Sequence, residues 1–270
     1  SYKFDKYLSK LPIEWVQQVV GIFVDTAKET GLQCGIFGSS VHKAFNDIKI
    51  NPHSDVDLVI TGIEFRACKP KLNSRFGNSF KKKLDKIAHN NNMDYELSKA
   101  NCYSNVFDSE SIHTELIFTR KGNRVYKFDI ISVLSMDVFM YGLHGFDHFH
   151  VWYDPISEQL KTDEAIKIPC DYKTDEITKN VKYMDVAAIM KDYKNNILSS
   201  RYYDAGYCLD RKISLKKIFK YIKLGFTIEC KNMRSILNNM IAYSSAQYES
   251  DDPEYYKILL NLCKRYLFEK

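Results

Sequence analysis

The sequence predicts an α/β (α+β) fold, with a mixed β-sheet in the first part and a helical domain after it. Three observations carry that prediction. Residues 55–61 and 124–133 alternate apolar and polar side chains with the period of two that a half-buried strand requires. Residues 12–30 repeat their apolar side chains with the spacing of an amphipathic helix. Beyond residue 173 the strand signal gives way to helical spacing as far as residue 268.

In chain order, residues 12–30 (PIEWVQQVVGIFVDTAKET) form a helix with Pro12 in its first turn and Gly31 as its stop. Cys34–Phe37 is a short strand, Gly38-Ser39-Ser40 a turn, and Val41–Ile48 a helix. Residues 55–61 are a strand, 62–76 carry no clear signal, and 77–92 (GNSFKKKLDKIAHNNN) are helical. Strands follow at about 94–103, 112–120 and 124–133, the last two joined by the hairpin turn Lys121-Gly122-Asn123. A further strand at about 147–153 ends at Asp154-Pro155. Helices are expected at 174–197, 210–224, 231–247 and 253–268. This order predicts two domains, residues 1–160 and 161–270; with no flexible boundary in the sequence, one intertwined unit is the alternative.

At 270 residues, 45% hydrophobic and 27% charged, the chain has the composition of a globular protein with a sizeable core. No run approaches the roughly 18 apolar residues of a membrane span. The charged amino-terminal stretch SYKFDKYLSK has no apolar region of a secretory signal. Seven cysteines are scattered singly without a C-x-x-C pair, which argues against a disulfide framework and a structural zinc site. Reduced thiols in a cytoplasmic protein are the simplest expectation. The net charge of +5 permits a nucleic-acid partner without demanding one. Abundant Lys, Asn, Tyr and Ile suggest an AT-rich genome, such as that of a virus or phage.

The chemistry concentrates in Ser54-Asp55-Val56-Asp57-Leu58. Side chains alternate along a strand, so Asp55 and Asp57 share a face, roughly 6.5–7 Å apart, while Val56, Leu58 and Ile60 face a core. In the strand VYKFDIISV, Tyr126, Phe128 and Ile130 fall on one face and Lys127 and Asp129 on the other. If the two strands are neighbours, three carboxylates meet on one surface and raise one another's pKa values, a repulsion that a divalent cation relieves. Mg²⁺ prefers a few carboxylates plus phosphates and water. Two such ions about 3.5–4 Å apart would clamp the attacking and leaving oxygens of a phosphoryl or nucleotidyl displacement. Glu115, which a three-residue turn places opposite Asp129, is the alternative third carboxylate; the cleaner alternation around Asp129 favours the latter. Gly38 lets the backbone approach a phosphate, and Ser39 and Ser40 offer hydroxyl and N–H donors where a helix begins. Lys43, just beyond, is placed to reach a phosphate; a plain exposed lysine is the alternative.

The succession Phe37-Gly38-Ser39-Ser40, Ser54-Asp55-Val56-Asp57-Leu58 and Phe128-Asp129-Ile130 resembles the polymerase-β-type nucleotidyltransferase superfamily, which includes poly(A) polymerases, CCA-adding enzymes, antibiotic nucleotidyltransferases and cyclic-oligonucleotide synthases. The resemblance covers residues 12–135, about half the chain. It implies a nucleotidyltransferase core that moves a nucleoside monophosphate from an NTP to a hydroxyl and releases pyrophosphate. It also implies that Asp55 and Asp57 hold two Mg²⁺ ions (or Mn²⁺), that Asp129 completes the metal site and helps activate the acceptor, and that Gly38 and Ser39 hold the triphosphate. The span from Ser39 to Asp55 is a little longer than the commonest spacing, which enlarges the intervening loop.

The acceptor is less legible. Lys212, Lys216, Lys220 and Lys223 make a basic stripe opposite Ile218, Phe219 and Ile222, suited to an RNA backbone or simply solvated. The run Lys81-Lys82-Lys83 with Lys86 has the same ambiguity. Trp152 and Tyr153 could stack on a base or be half-buried strand aromatics. His144, His148 and His150 lack the pattern of a metal motif and are expected to be structural. The segment from Phe146 to Asp154 is only loosely similar to the D-F-T-I-N-A segment of CCA-adding enzymes, without its arginine pair or its asparagine, and does not imply CCA addition. An RNA 3′-end is the preferred acceptor. The alternatives are a small molecule or protein side chain, a cyclic or short oligonucleotide made from NTP alone, and an inactive nucleotidyltransferase-like binding module.

Overall fold

The computed structural model describes residues 1–67, 69–104, 110–136, 139, 146–162, 185–199, 215–229, 233, 234, 237, 238 and 253–268. These fall into two compact units. The first takes the described residues from 1 to 139 together with 151–162; the second takes 146–150 and the described residues from 185 onward.

The first unit is built on a seven-stranded mixed sheet. Its strands are β1 (Cys34–Phe37), β2 (Val56–Ile60), β5 (Asp94–Ser104), β6 (Glu110–Arg120), β7 (Asn123–Val133), β8 (Trp152–Asp154) and β9 (Gln159–Lys161), with β3 (Glu64–Arg66) and β4 (Lys69–Lys71) forming a separate hairpin. The order across the sheet is β5-β6-β7-β2-β1-β8-β9; β2 and β7 run parallel and the other neighbours antiparallel. The α/β class expected from the alternation is therefore observed.

Helix α2 (Glu14–Thr30) covers one face with Val16, Val19, Val20, Phe23, Val24 and Ala27, all buried at the i, i+3, i+4 spacing of an amphipathic stripe. Helix α4 (Ser74–Asn90) lies beside it, and Phe23 meets Phe76 and Phe80 edge-on at 5.3 and 5.7 Å between ring centroids. Under these helices the sheet offers Ile36, Val56, Leu58, Ile60, Leu116, Phe118, Phe128 and Ile130. Burial of each such side chain stabilises the fold by roughly 1.5–3 kcal/mol. With that face occupied, the alternate residues Asp57, Asp129 and Glu115 must lie on the other.

Several boundaries differ from expectation for local reasons. Helix α2 begins at Glu14 with Ile13 at the N-cap, so Pro12 precedes the helix instead of opening it. Gly31 ends it as expected, in the left-handed conformation at φ 67°, with Leu32 N–H donating to Ala27 O. Helix α3 (Ser39–Phe45) starts directly after Gly38, earlier than the expected Val41. Helix α4 also starts early, because Asn73 caps it by accepting from Phe76 N–H at 3.1 Å. The hairpin turn is two residues, Lys121 and Gly122, with φ of 52° and 78°. Val125 is then an extra residue on β7, between the pairs Thr119–Arg124 and Phe118–Tyr126, and the bulge brings Glu115 opposite Asp129 after all. Residues 147–150 are a 3-10 turn, which leaves β8 only Trp152–Asp154. The short α1 (Phe4–Lys10) and β9 were not anticipated.

In the second unit, helices at Val186–Lys194, Leu215–Lys223 and Pro253–Cys263 and the parallel pair β10 (Ile197–Ser199) and β11 (Thr227–Glu229) surround Phe146, Leu198, Ile218, Phe219, Ile228, Met233, Leu237 and Leu262. The expected helix at 174–197 is thus described only from 186, and ends before β10. Most of the expected 231–247 helix lies outside the described residues. Among the described residues no helix is long and apolar enough to cross a membrane.

Candidate active site

Strand register assembles the site. Phe37 of β1 pairs with Asp57 of β2, Asp57 with Asp129 of β7, and Asp129 with Glu115 of β6. Laterally paired residues point the same way, so one row across the sheet carries three carboxylates at the strand spacing of about 4.8 Å. Asp55 stands two residues before Asp57, just ahead of β2, and Lys127 holds the equivalent place on β7. The Lys127 ammonium lies 3.5 Å from Asp55 Oδ2 and 3.4 Å from Asp129 Oδ1. His113, on β6 two residues before Glu115, brings Nε2 to 2.7 Å from Asp129 Oδ1. A carboxylate can only accept, so His113 Nε2 carries the hydrogen.

The electrostatics follow from this crowding. Burial, then the charges of Asp129 and Asp55, push the Asp57 carboxyl up from 3.8 to about 7, against the opposing pull of Lys127 and His113. The Asp55 carboxyl is also raised, by burial and by Asp129, while Lys127 and Arg124 work against the shift. Burial disfavours the Lys127 ammonium, but Asp129 and Asp55 outweigh it and the lysine is held more firmly protonated than usual. The patch therefore carries more negative charge than its surroundings neutralise, and an ammonium already lies between two of its carboxylates. The excess negative charge of this patch suits a cation. Among the described residues, the group whose ligand atoms all lie within 4.8 Å of one another is His113, Glu115 and Asp129, so Glu115 stands with Asp129 where a metal ion fits, and Asp55 and Asp57 are not part of that group.

The turn before α3 closes on the same patch. Gly38 sits at φ 85°, ψ −169°, a region essentially reserved for glycine, and a Cβ there would lie 2.5 Å from Asp57 Oδ2. Both the backbone conformation and the close approach to Asp57 require glycine. Ser39, at the helix start, is half-buried. Ser40 is not free to offer its hydroxyl outward: it is buried, with Oγ 2.9 Å from Tyr7 Oη, and Tyr7 is itself fully buried under α3. Lys43 is half-buried one turn further along α3.

Of the residues expected at the acceptor, Trp152 is buried against the sheet. It stacks on Phe37 at 5.8 Å with the rings 10° apart, takes Lys161 over its ring at 5.6 Å, and fits because Gly35 has no Cβ, which would lie 2.8 Å from Trp152 Cε3. Of the two readings of Trp152, an open stacking surface and a strand aromatic, the structure shows the second: it is a core residue. Lys220 is exposed on the helix Leu215–Lys223, whose Ile218 and Phe219 are buried, and Lys223 pairs with Glu254 at 3.6 Å. Lys212 and the side chain of Lys216 lie outside the described residues, as does His144. His148 and His150 are buried, His148 Nε2 lying 2.9 Å from Tyr221 Oη.

His113 and the clamp made by Lys127 were missed from the sequence. The signal was present: counting back by two from Glu115 and from Asp129 reaches each of them on the same strand face.

No family model matches the chain. No curated protein matches it either. Solved structures do. An apo form of a CCA-adding enzyme is similar at TM-score 0.52 and 13% identity, over 96% of this chain and 54% of that one. A CCA-adding enzyme with CTP is similar at TM-score 0.49 and 14% identity, over 99% and 50% of the two chains. The Thermotoga maritima CCA-adding enzyme with tRNA is similar at TM-score 0.49 and 13% identity, over 99% and 51%. The chain spans about half the length of these structures. At 13% identity the likeness to the apo CCA-adding enzyme speaks for architecture alone. The fold of this chain is similar to that of a CCA-adding enzyme.

Proposed function

We propose that the chain is a metal-dependent nucleotidyltransferase that moves a nucleoside monophosphate from an NTP to a hydroxyl, with an RNA 3′-end as the preferred acceptor. The observation that carries this reading is the lateral register Phe37–Asp57–Asp129, which gathers the Gly38 turn, the D-x-D pair and the third carboxylate on one patch.

In this reading Asp55, Asp57 and Asp129 hold two Mg²⁺ ions, for which Mn²⁺ can substitute, and when bound the ions neutralise phosphate charge and clamp the attacking and leaving oxygens. Gly38 and Ser39 bind the triphosphate through backbone N–H groups and the Ser39 hydroxyl, with Lys43 in reach; Ser40 contributes only its backbone, because its hydroxyl faces Tyr7. Asp129, with Oδ1 held by His113, completes the metal site and favours ionisation of the acceptor hydroxyl, whose proton passes to solvent. The acceptor oxygen forms a bond to the α-phosphorus as the bond to the β-phosphate bridging oxygen breaks, and pyrophosphate leaves. The domain to residue 160 performs this step, and residues 161–270 hold the acceptor, with Lys212, Lys216 and Lys220 along its backbone. The fold shared with a CCA-adding enzyme supports this reading.

The test is incubation of the protein with Mg²⁺ and each α-labelled NTP, with and without mixed RNA, beside Asp55→Ala/Asp57→Ala. Label extending RNA in the wild type alone is the expected result. Label only in small products without RNA would replace the RNA acceptor by oligonucleotide synthesis. No aspartate-dependent incorporation would leave a small-molecule or protein acceptor, or an inactive module, and would refute the RNA reading.

A further inference from the structure

Four carboxylates face one patch of sheet, and a lysine is built in among them. Lys127 is only 19% exposed, and its ammonium spans from Asp55, ahead of β2, to Asp129 on β7. It meets Asp129 at Oδ1, the oxygen that His113 also engages at 2.7 Å. Two cationic or polar donors on a single oxygen fix the carboxylate's rotation and leave Oδ2 as the oxygen for any other cation. Carboxylates this close repel one another without such a charge. Lys127 thus occupies part of the electrostatic place that a divalent ion would take.

We propose that Lys127 is a positioning residue acting as the site's resident counter-cation: it holds Asp55 and Asp129 in register before a divalent ion is bound, and it opposes entry of a bare ion, so that metal arrives with an anionic triphosphate. This rests on the nucleotidyltransferase reading above. A divalent ion among these carboxylates would lie within several ångströms of the ammonium, where two charges against one, even at a high effective dielectric, weaken binding by roughly tenfold or more. The negative charge of a bound triphosphate cancels that repulsion. The carboxylate contacts of Lys127 are also geometric, so arginine can replace it and an apolar side chain cannot.

The test is Mn²⁺ binding followed by electron paramagnetic resonance at fixed pH. It uses the full chain without nucleotide, as wild type, Lys127→Met, Lys127→Arg and Asp57→Asn, each checked for folding by circular dichroism. Lys127→Met is expected to bind Mn²⁺ about tenfold or more tightly than wild type, and Lys127→Arg to return to the wild-type value. Addition of an α,β-methylene NTP is expected to shrink the difference. Equal or weaker Mn²⁺ binding by folded Lys127→Met, with binding still lost in Asp57→Asn, would overturn this inference and leave the nucleotidyltransferase reading standing. Mn²⁺ binding in no variant, even with the nucleotide analogue, would overturn both. Lys127→Gln, which keeps more of the side chain's polarity, serves in the same comparison should Lys127→Met not fold.

Discussion

Replacing Asp57 by asparagine should stabilise the protein in the absence of divalent ions, and only at neutral to alkaline pH. The Asp57 carboxyl is raised from 3.8 to about 7 by burial and by Asp129 and Asp55. A carboxyl with a raised folded-state pKa holds its proton more tightly folded than unfolded. The folded state therefore loses stability as pH rises from about 4 through about 7, and the loss is complete above that. At 1.36 kcal/mol per pKa unit the loss at pH 8 is about 4 kcal/mol. Asparagine keeps the shape and removes the charge, while its buried amide costs about 1–2 kcal/mol. The net gain expected for Asp57→Asn at pH 8 is therefore on the order of 2–3 kcal/mol. At pH 4 the carboxyl is protonated in the folded protein and the gain vanishes. Urea denaturation in a chelator at pH 4, 6 and 8 measures the difference directly. A variant no more stable than wild type at pH 8, or a gain that does not change with pH, would refute the argument that Asp57 is held at an electrostatic cost.

Three further outcomes follow from the geometry. Gly38→Ala places a Cβ against Asp57 Oδ2 at a backbone conformation that alanine avoids, so it should lower stability by about 2 kcal/mol or more and abolish incorporation, read by urea denaturation and labelled NTP. Tyr7→Phe leaves Ser40 Oγ buried without its partner and should cost about 1–2 kcal/mol in the same denaturation assay, with Ser40→Ala/Tyr7→Phe less damaging than the single change to Tyr7. Trp152→Ala removes a buried ring from Phe37 and should cost about 3–5 kcal/mol, whereas Trp152→Phe should leave RNA affinity unchanged in a filter-binding assay.

The carboxylates were legible because strand alternation is a local property: Val56, Leu58 and Ile60 mark the buried face and so assign Asp55 and Asp57 to the other. The neighbouring strand was harder. No turn dictates the parallel pairing of β2 with β7, which crosses most of the first unit in sequence and depends on Val56, Leu58, Phe128 and Ile130 sharing one core under α2 and α4. Glu115 reached its place opposite Asp129 by a different route from the one its sequence suggested, through a two-residue turn and a compensating bulge at Val125. The aromatic at 152 stayed open between stacking and burial in the sequence because its burial depends on the missing side chain of Gly35, on another strand. Ser40 was misjudged because its partner, Tyr7, comes from a short helix with no side-chain cap to announce it. In each case the local pattern named the side chain's face, and distant packing decided whether that face was open.

The most direct measurement compares Asp129→Asn and Glu115→Gln with wild type in the labelled-NTP assay, with each variant's fold verified by circular dichroism. Asp129 lies one strand from Asp57 and Glu115 two, so the account predicts a fall of about a hundredfold or more for Asp129→Asn and only a few-fold for Glu115→Gln. Incorporation that survives Asp129→Asn, or that depends on Glu115 instead, would contradict the assignment of Asp57 and Asp129 as neighbouring arms of one transfer site.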